Sequence, residues 1–327
     1  MKKSLLALAM GAVVGLTAAT SAYATPIRLN NGIDFGSNGS TSTDAVDELG
    51  YTGTLATSIY LGDPSVAGTV VIDTNISSVM TSYGFSAGPK VSLAATPIDI
   101  TPGGPINNPK FPTFAGNLNI DALNTPVDGN GFVAGGTVPL YGDTITGGKV
   151  WGLTYEYEIM GVSTGTEVNF TSGYFNVYYQ SGAGNPNDGE QVLRLNLTGS
   201  DFQGVNLSLT GNVSFDFDGN GTDDSTAFSQ AFWENGDVGP DFYAAWLANP
   251  VSGVTFVVDT NVNPPLPTAN QLWVGDAAPA LGGATALFRQ STLDGSIAFA
   301  VPEPGSLALL GLALAGLGLT QRRRKAA

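Results

Sequence analysis

Nine consecutive residues carry most of the oxygen chemistry this chain offers: Asp216-Phe217-Asp218-Gly219-Asn220-Gly221-Thr222-Asp223-Asp224. A hard divalent cation such as Ca²⁺ takes about six to eight oxygens at roughly 2.3–2.6 Å, drawn from carboxylates, amides and carbonyls. Alternate positions of a tight loop turn their oxygens to one side, so Asp216, Asp218 and Asn220 converge. Gly221 at the sixth position permits the sharp turn, the carbonyl of Thr222 contributes, and Asp224 closes the ring at the ninth. Ca²⁺ is the cofactor this set would take, with Asp216, Asp218, Asn220, Thr222 and Asp224 as ligands. The crowding of Asp223 beside them adds repulsion that a metal would relieve.

The segment resembles the short D-x-D-x-[DN]-G-x-x-D calcium loops of β-propellers and related extracellular proteins. It departs from an EF-hand at the twelfth position, where Ala227 replaces the closing Glu. Asp-Gly and Asn-Gly are also favoured in two-residue hairpin turns, and the segment ends a long alternating stretch. A charged hairpin tip is therefore the competing reading, and the residues alone leave both standing.

Few other reactive groups exist. The 327 residues contain no histidine and no cysteine, which removes Ser-His-Asp catalysis, imidazole and thiolate metal ligands, and disulfides. Glu156 and Glu158 stand two apart on one strand face, whereas glycosidase carboxylates face each other across a cleft. A solvated strand face explains them better, and no catalytic residue is assigned.

The acids dominate. Twelve Lys and Arg oppose 27 Asp and Glu, but six of the cations sit at the extreme ends. Between residues 25 and 304, six basic residues face all 27 acids, a net of −21. Such a surface repels phosphate backbones, and nucleic acid is excluded as a partner.

Both ends read as addresses. Lys2 and Lys3, the apolar run from Leu5 to Leu16, and Ala22-Tyr23-Ala24 have the three parts of a secretory signal peptide cleaved before Thr25. Sec machinery and signal peptidase follow as partners. At the other end, Val301-Pro302-Glu303-Pro304 precedes an apolar stretch from Leu307 to Leu319 and the cluster Arg322-Arg323-Arg324-Lys325. The prolines keep Glu303 in extended, accessible backbone. The apolar stretch lies at or just below the roughly 17–25 residues that span a bilayer, and the cations hold the terminus on the cytoplasmic side.

This tail resembles the PEP-CTERM sorting signal, in which a Pro-Glu-Pro tripeptide, a transmembrane segment and a basic terminus stand in this order. The resemblance implies recognition by an exosortase, an integral-membrane cysteine transpeptidase, with cleavage near Pro302, Glu303 and Pro304. It further implies a Gram-negative-type bacterium that makes exopolysaccharide, biofilm or flocs, and a mature protein at the envelope, outer surface or extracellular matrix.

The elements that must position the loop are strands. Trp151, Leu153, Tyr155, Tyr157 and Ile159 alternate with Gly152, Thr154, Glu156 and Glu158; Val205, Leu207, Leu209, Gly211, Val213, Phe215 and Phe217 do the same. Shorter candidates lie at Leu55–Tyr60, Thr69–Asp73, Val168–Phe170, Tyr174–Tyr179, Val192–Leu197, Val254–Val258, Leu272–Val274, Ala286–Arg289 and Ile297–Phe299. One helix is expected, at Pro240–Ala248. The fold class is all-β, an antiparallel, jelly-roll-like β-sandwich with long Pro/Gly-rich loops. The expected division is a signal peptide at 1–24, a body at 25–300 with a Pro/Gly-rich excursion at 88–139, and the sorting tail at 301–327.

The function expected from this set is a non-enzymatic surface or matrix protein associated with exopolysaccharide, biofilm or flocs. Two alternatives carry their own signatures. A carbohydrate-binding module would expose a planar aromatic row, with Trp233, Tyr243 and Trp246 the first residues to inspect. A secreted glycoside hydrolase would show a cleft lined by acids, one of them with a raised pKa.

Overall fold

Strict alternation sets the longest strands. Along β9 (Trp151–Ser163) every second residue from Trp151 to Ile159 is buried and those between are not, so one face meets a core and the other meets solvent. The same logic runs along β12 (Asn206–Ser214), where Leu207, Leu209, Gly211 and Val213 point inward. The computed structural model describes residues 24–32, 41–43, 45–85, 89–92, 97–99, 121–123, 144–145, 148–149, 151–181, 186–187, 189–204, 206–237, 239–261, 265–277, 281–283 and 285–301.

The chain opens with β1 (Ile27–Leu29), β2 (Glu48–Tyr60), β3 (Val70–Thr74) and a short helix α1 (Ser77–Ser82). Small strands come next: β4 (Pro89–Ser92), β5 (Pro97–Asp99), β6 (Asp121–Leu123), β7 (Thr144–Ile145) and β8 (Gly148–Lys149). After β9 come β10 (Val168–Ser181), β11 (Gln191–Gln203) and β12, which build a meander. Helix α2 (Ala227–Phe232), β13 (Trp233–Asn235) and helix α3 (Phe242–Ala248) interrupt it. The last strands are β14 (Thr255–Asn261), β15 (Trp273–Ala277) and β16 (Thr285–Ala300).

All described pairings are antiparallel, as the alternation predicts. Eight strands hydrogen-bond in the order β14-β12-β11-β10-β9-β3-β2-β16, and β16 pairs again with β14. The circuit therefore closes, and the layers of the expected sandwich are joined at both edges. Closure leaves these eight strands with paired edges along the circuit. Strand β16 makes it possible because it is long: residues 287–298 pair with β2 on one side, while residues 295–300 meet β14 on the other. Two segments expected as separate strands, Ala286–Arg289 and Ile297–Phe299, are the two ends of this single strand. Val168–Phe170 and Tyr174–Tyr179 likewise merge into β10, across a bulge between Phe170 and Ser172.

One end of the circuit is sealed. Helices α2 and α3 with β1 and β13 bury Phe232, Trp233 and Phe242 against Trp151 and Phe299. Trp233 stacks on Phe242 at 5.7 Å, and its indole N–H donates to the Val192 carbonyl at 3.1 Å. A smaller outer cluster packs Ile59, Ile72, Met80, Phe85, Trp273 and Phe288 beside α1. Of the three α-helices among the described residues, the sequence pattern predicts only α3. Helix α2 begins at a capping box in which Thr226 and Ser229 satisfy each other's backbone N–H, a hydroxyl version of a signal normally read from Glu or Gln. Most of the Pro/Gly-rich excursion, and the expected transmembrane segment of the tail, lie outside the described residues. Among the described residues no helix is long and apolar enough to cross a membrane.

Candidate functional site

The acidic loop hangs between β12 and α2. Strand β12 ends at Ser214, the Asp224 N–H donates to the Phe215 carbonyl at 3.0 Å, and Thr226 caps the next helix. The connection runs from strand to helix, so the segment is not a β-hairpin tip. Two glycines with positive φ, Gly219 at 80° and Gly221 at 91°, make the turns that bring the chain back.

Inside this loop the carboxylates organise the backbone. Asp216 Oδ1 accepts from the N–H of Gly219 at 2.8 Å and of Asn220 at 3.0 Å, and its Oδ2 accepts from Gly221 at 2.8 Å. Asp224 Oδ2 accepts from Phe217 at 2.9 Å and Asp218 at 3.2 Å. Asp218 accepts from the Asn220 backbone and side chain, and Asn220 Oδ1 accepts from the Thr222 backbone and hydroxyl. The result brings one oxygen each of Asp216, Asp218 and Asp224 within 4.8 Å of one another. Asp216 is half-buried; Asp218, Asn220, Thr222 and Asp224 are exposed. Hard anionic oxygens so placed are the donor set that suits calcium.

Asp223, next in sequence, points elsewhere. It accepts from the Tyr243 hydroxyl at 2.7 Å and from Ser225, tying the loop to α3. Burial pushes its pKa up, but the bonds from Ser225 and Tyr243 outweigh it and hold the carboxyl below its usual range. Arg194 on β11 grips the other side: its guanidinium donates to the Phe217 carbonyl at 2.8 Å and lies 4.2 Å from the centre of the Tyr174 ring. Sequence spacing carries no sign of either tether, because both partners come from other elements.

The alternatives meet different fates. Trp233 and Trp246 are buried and Tyr243 packs on Phe215 and Trp246, so these three form no exposed aromatic row. Glu156 and Glu158 lie side by side on the outer face of β9. Glu156 accepts from Tyr178 at 2.6 Å and Asn176 at 3.1 Å, while partial burial raises the Glu158 pKa. Among the described residues neither faces a carboxylate across a cleft.

A second polar group is one that sequence reasoning misses. Ser58, Tyr60, Asp73, Tyr157 and Arg289 meet inside the barrel, where Asp73 and Arg289 are 8% and 4% exposed. The Ser58 and Tyr157 hydroxyls each donate to Asp73 at 2.5 Å. The available signal is register: Asp73 shares a face with Val71, and Arg289 with Leu287, so each charge occupies a position where the alternation asks for an apolar residue.

The processing residues Ala22, Pro302, Glu303, Pro304, Arg322, Arg323 and Arg324 lie outside the described residues. Ala24 is exposed, next to Thr25, whose N–H donates to the Phe299 carbonyl at 2.7 Å. Val301 returns the contact through its N–H to the Thr25 hydroxyl, at 3.0 Å. The two expected processing points therefore flank one edge of the body.

No curated protein and no solved structure matches the chain. Residues 300–324 match the PEP-CTERM protein-sorting motif. The chain thus carries a PEP-CTERM sorting signal, and it is an exported protein that an exosortase sorts to the cell envelope or surface of a Gram-negative-type bacterium.

Proposed function

We propose that the sorted protein is a non-enzymatic component of the outer surface or extracellular matrix, associated with exopolysaccharide in biofilm or flocs, and that its acidic loop holds Ca²⁺. The observation that carries the reading is the union of a sorting signal at 300–324 with a closed, acidic β body. A closed barrel with a sealed aromatic end suits a part that must persist outside the cell, since each circuit strand has a pairing neighbour on both sides. The absence of histidine and cysteine from the sequence supports a binding or structural role.

The test has two arms. Intact mass of the protein recovered from the matrix is expected to lack residues 1–24 and most of the tail beyond Pro304; a species retaining Arg322–Lys325 overturns the sorting step. Cells lacking the protein are expected to aggregate less, and unchanged aggregation and unchanged matrix composition overturn the matrix role.

A further inference from the structure

Strand β16 delivers the chain to the sealed end of the barrel. Its last pairing sets Ala300 opposite Thr255 at the start of β14, and Phe299 packs on Phe242 of α3 with ring centres 5.2 Å apart. Thr25 fixes the exit from the other side, donating to the Phe299 carbonyl and accepting from the Val301 N–H. The sorting motif at 300–324 therefore begins at the sealed end, beside α3.

Helix α3 has two faces at this point. Phe242, Ala245 and Trp246 are buried, whereas Ala244, Leu247 and Ala248 are exposed, and exposed Pro250 and Val251 follow in the turn to β14. Val251 at 73% and Leu247 at 56% are the two most exposed large apolar side chains among the described residues. Between Asp241 and Asp259 the sequence holds no charged residue. Single apolar side chains scattered over a surface are ordinary. These are grouped, uncharged and placed where the tail leaves.

The tail sets what lies opposite them. Five residues, Pro302 to Ser306, separate Val301 from the apolar stretch that begins at Leu307. A chain extends at most about 3.6 Å per residue, so a tail inserted in a bilayer holds Val301 within about 20 Å of the hydrocarbon. The other end of the barrel is farther off: the 16 residues of β16 alone run roughly 50 Å at about 3.3 Å per residue.

We propose that, while the tail is in place, the sealed end docks on a zwitterionic lipid surface through Leu247, Val251 and the exposed residues between them. Apolar side chains on one face of a short helix enter the boundary between headgroups and acyl chains in this way. The charge around the patch selects the lipid. Tyr243, whose hydroxyl donates to Asp223, stands one helical turn before Leu247, so the acidic loop borders the patch and disfavours anionic headgroups. This docking depends on the tail entering the bilayer, as the sorting reading requires, and is independent of any matrix role.

The sequence contains no cysteine, so Leu247→Cys, Val251→Cys and Val66→Cys each give a single thiol for a fluorescent label. All three sites are exposed, and Val66 lies in the β2–β3 turn at the opposite end of the barrel. The secreted chain with its tail is added to preformed phosphatidylcholine vesicles, floated, and read by quenching with aqueous iodide. The labels on α3 and its turn are expected to lose most of their quenching, while the label in the β2–β3 turn keeps it. Adding Leu247→Asp to the chain labelled at Val251→Cys is expected to restore quenching. Phosphatidylglycerol vesicles are expected to protect the labels less, and equal or better protection overturns the choice of a zwitterionic surface. A chain that does not float overturns the inserted tail and the docking with it. A chain that floats with all three labels quenched alike overturns the docking alone. Protection of all three lays the barrel on its side and overturns the end-on contact, and protection that survives Leu247→Asp removes α3 from it.

Discussion

Calcium binding by the acidic loop makes its sharpest prediction when Asp216→Ala and Asp218→Ala are compared. Three carboxylate oxygens within 4.8 Å repel one another by about 0.9 kcal/mol per pair even at the dielectric of water. Calcium converts that repulsion into attraction. Present at about a hundred times Kd and bound only to the folded state, it would add about 2.7 kcal/mol. For a body of this size about 2 °C accompanies each kcal/mol, so the thermal midpoint is expected to rise by about 5 °C. The variants separate ligation from loop building. Asp216 organises three backbone N–H groups, whereas Asp218 accepts only from Asn220. Asp218→Ala is therefore expected to match wild type closely in chelator and to lose the calcium increment. Asp216→Ala loses the increment too, and it starts lower in chelator by about 1–2 kcal/mol because its N–H partners must turn to water. Scanning calorimetry with calcium and with chelator reads both quantities. Titration calorimetry showing no calcium binding to wild type at millimolar concentration refutes the site, and so does an Asp218→Ala variant that keeps the full increment.

Two further predictions concern the barrel. A Cβ on Gly211 would fall 2.0 Å from the Asn196 carbonyl and 2.7 Å from the Phe256 ring; Gly211→Ala is expected to destabilise by about 3 kcal/mol, lowering the midpoint by about 6 °C, and an unchanged melt refutes the close approach of β11 and β14 there. Burial raises the Asp73 pKa in the folded state, so its contribution to stability is fully present below the ordinary aspartate value of about 3.8 and is lost as pH rises through the folded value. Asp73→Asn cannot titrate; the difference in denaturation free energy, wild type minus variant, is expected to fall as pH rises between those two values, with a slope of about 1.4 kcal/mol per pH unit. A difference that rises over that window shows the Arg289 charge outweighing burial and refutes the sign.

Local pattern was legible and closure was not. The inward faces of β9 and β12 follow directly from alternation, because each residue's side is fixed by its neighbours two positions away. Thr171-Ser172-Gly173 reads as a break, yet Gly173 at φ 132° lets β10 continue through a bulge. The polar run 290–296 likewise reads as a loop between Ala286–Arg289 and Ile297–Phe299, but it is held by β2 as the middle of β16. Nothing local distinguishes a solvent-facing polar run from one held by a strand more than two hundred residues earlier, as β2 holds this one. The same limit hid the interior pair. Asp73 and Arg289 come from strands far apart in sequence and meet only because β2 pairs with both β3 and β16. The acidic loop was visible because all its carboxylates lie within nine residues, while its tethers, Arg194 and Tyr243, were invisible because they come from β11 and α3.

The distribution of charge connects these observations. Among the basic residues whose side chains are described, Arg289 is inside the barrel, Arg194 holds the base of the acidic loop, and Arg28 sits on β1 opposite Glu234 on β13. Arg289 and Arg194 are thus committed to interior or loop-building contacts, which leaves few cations to oppose the 26 acids between residues 25 and 300. Such a surface repels an acidic polysaccharide at separations shorter than a Debye length, about 8 Å at physiological ionic strength. Association with a polyanionic matrix would then have to run through neutral sugars or through divalent cations shared by both partners. A loop that gathers three carboxylates at an exposed corner, held by Arg194 on one side and Tyr243 on the other, is suited to the second route. On the proposed reading, the same calcium that stabilises the body also sets how strongly the protein is retained outside the cell.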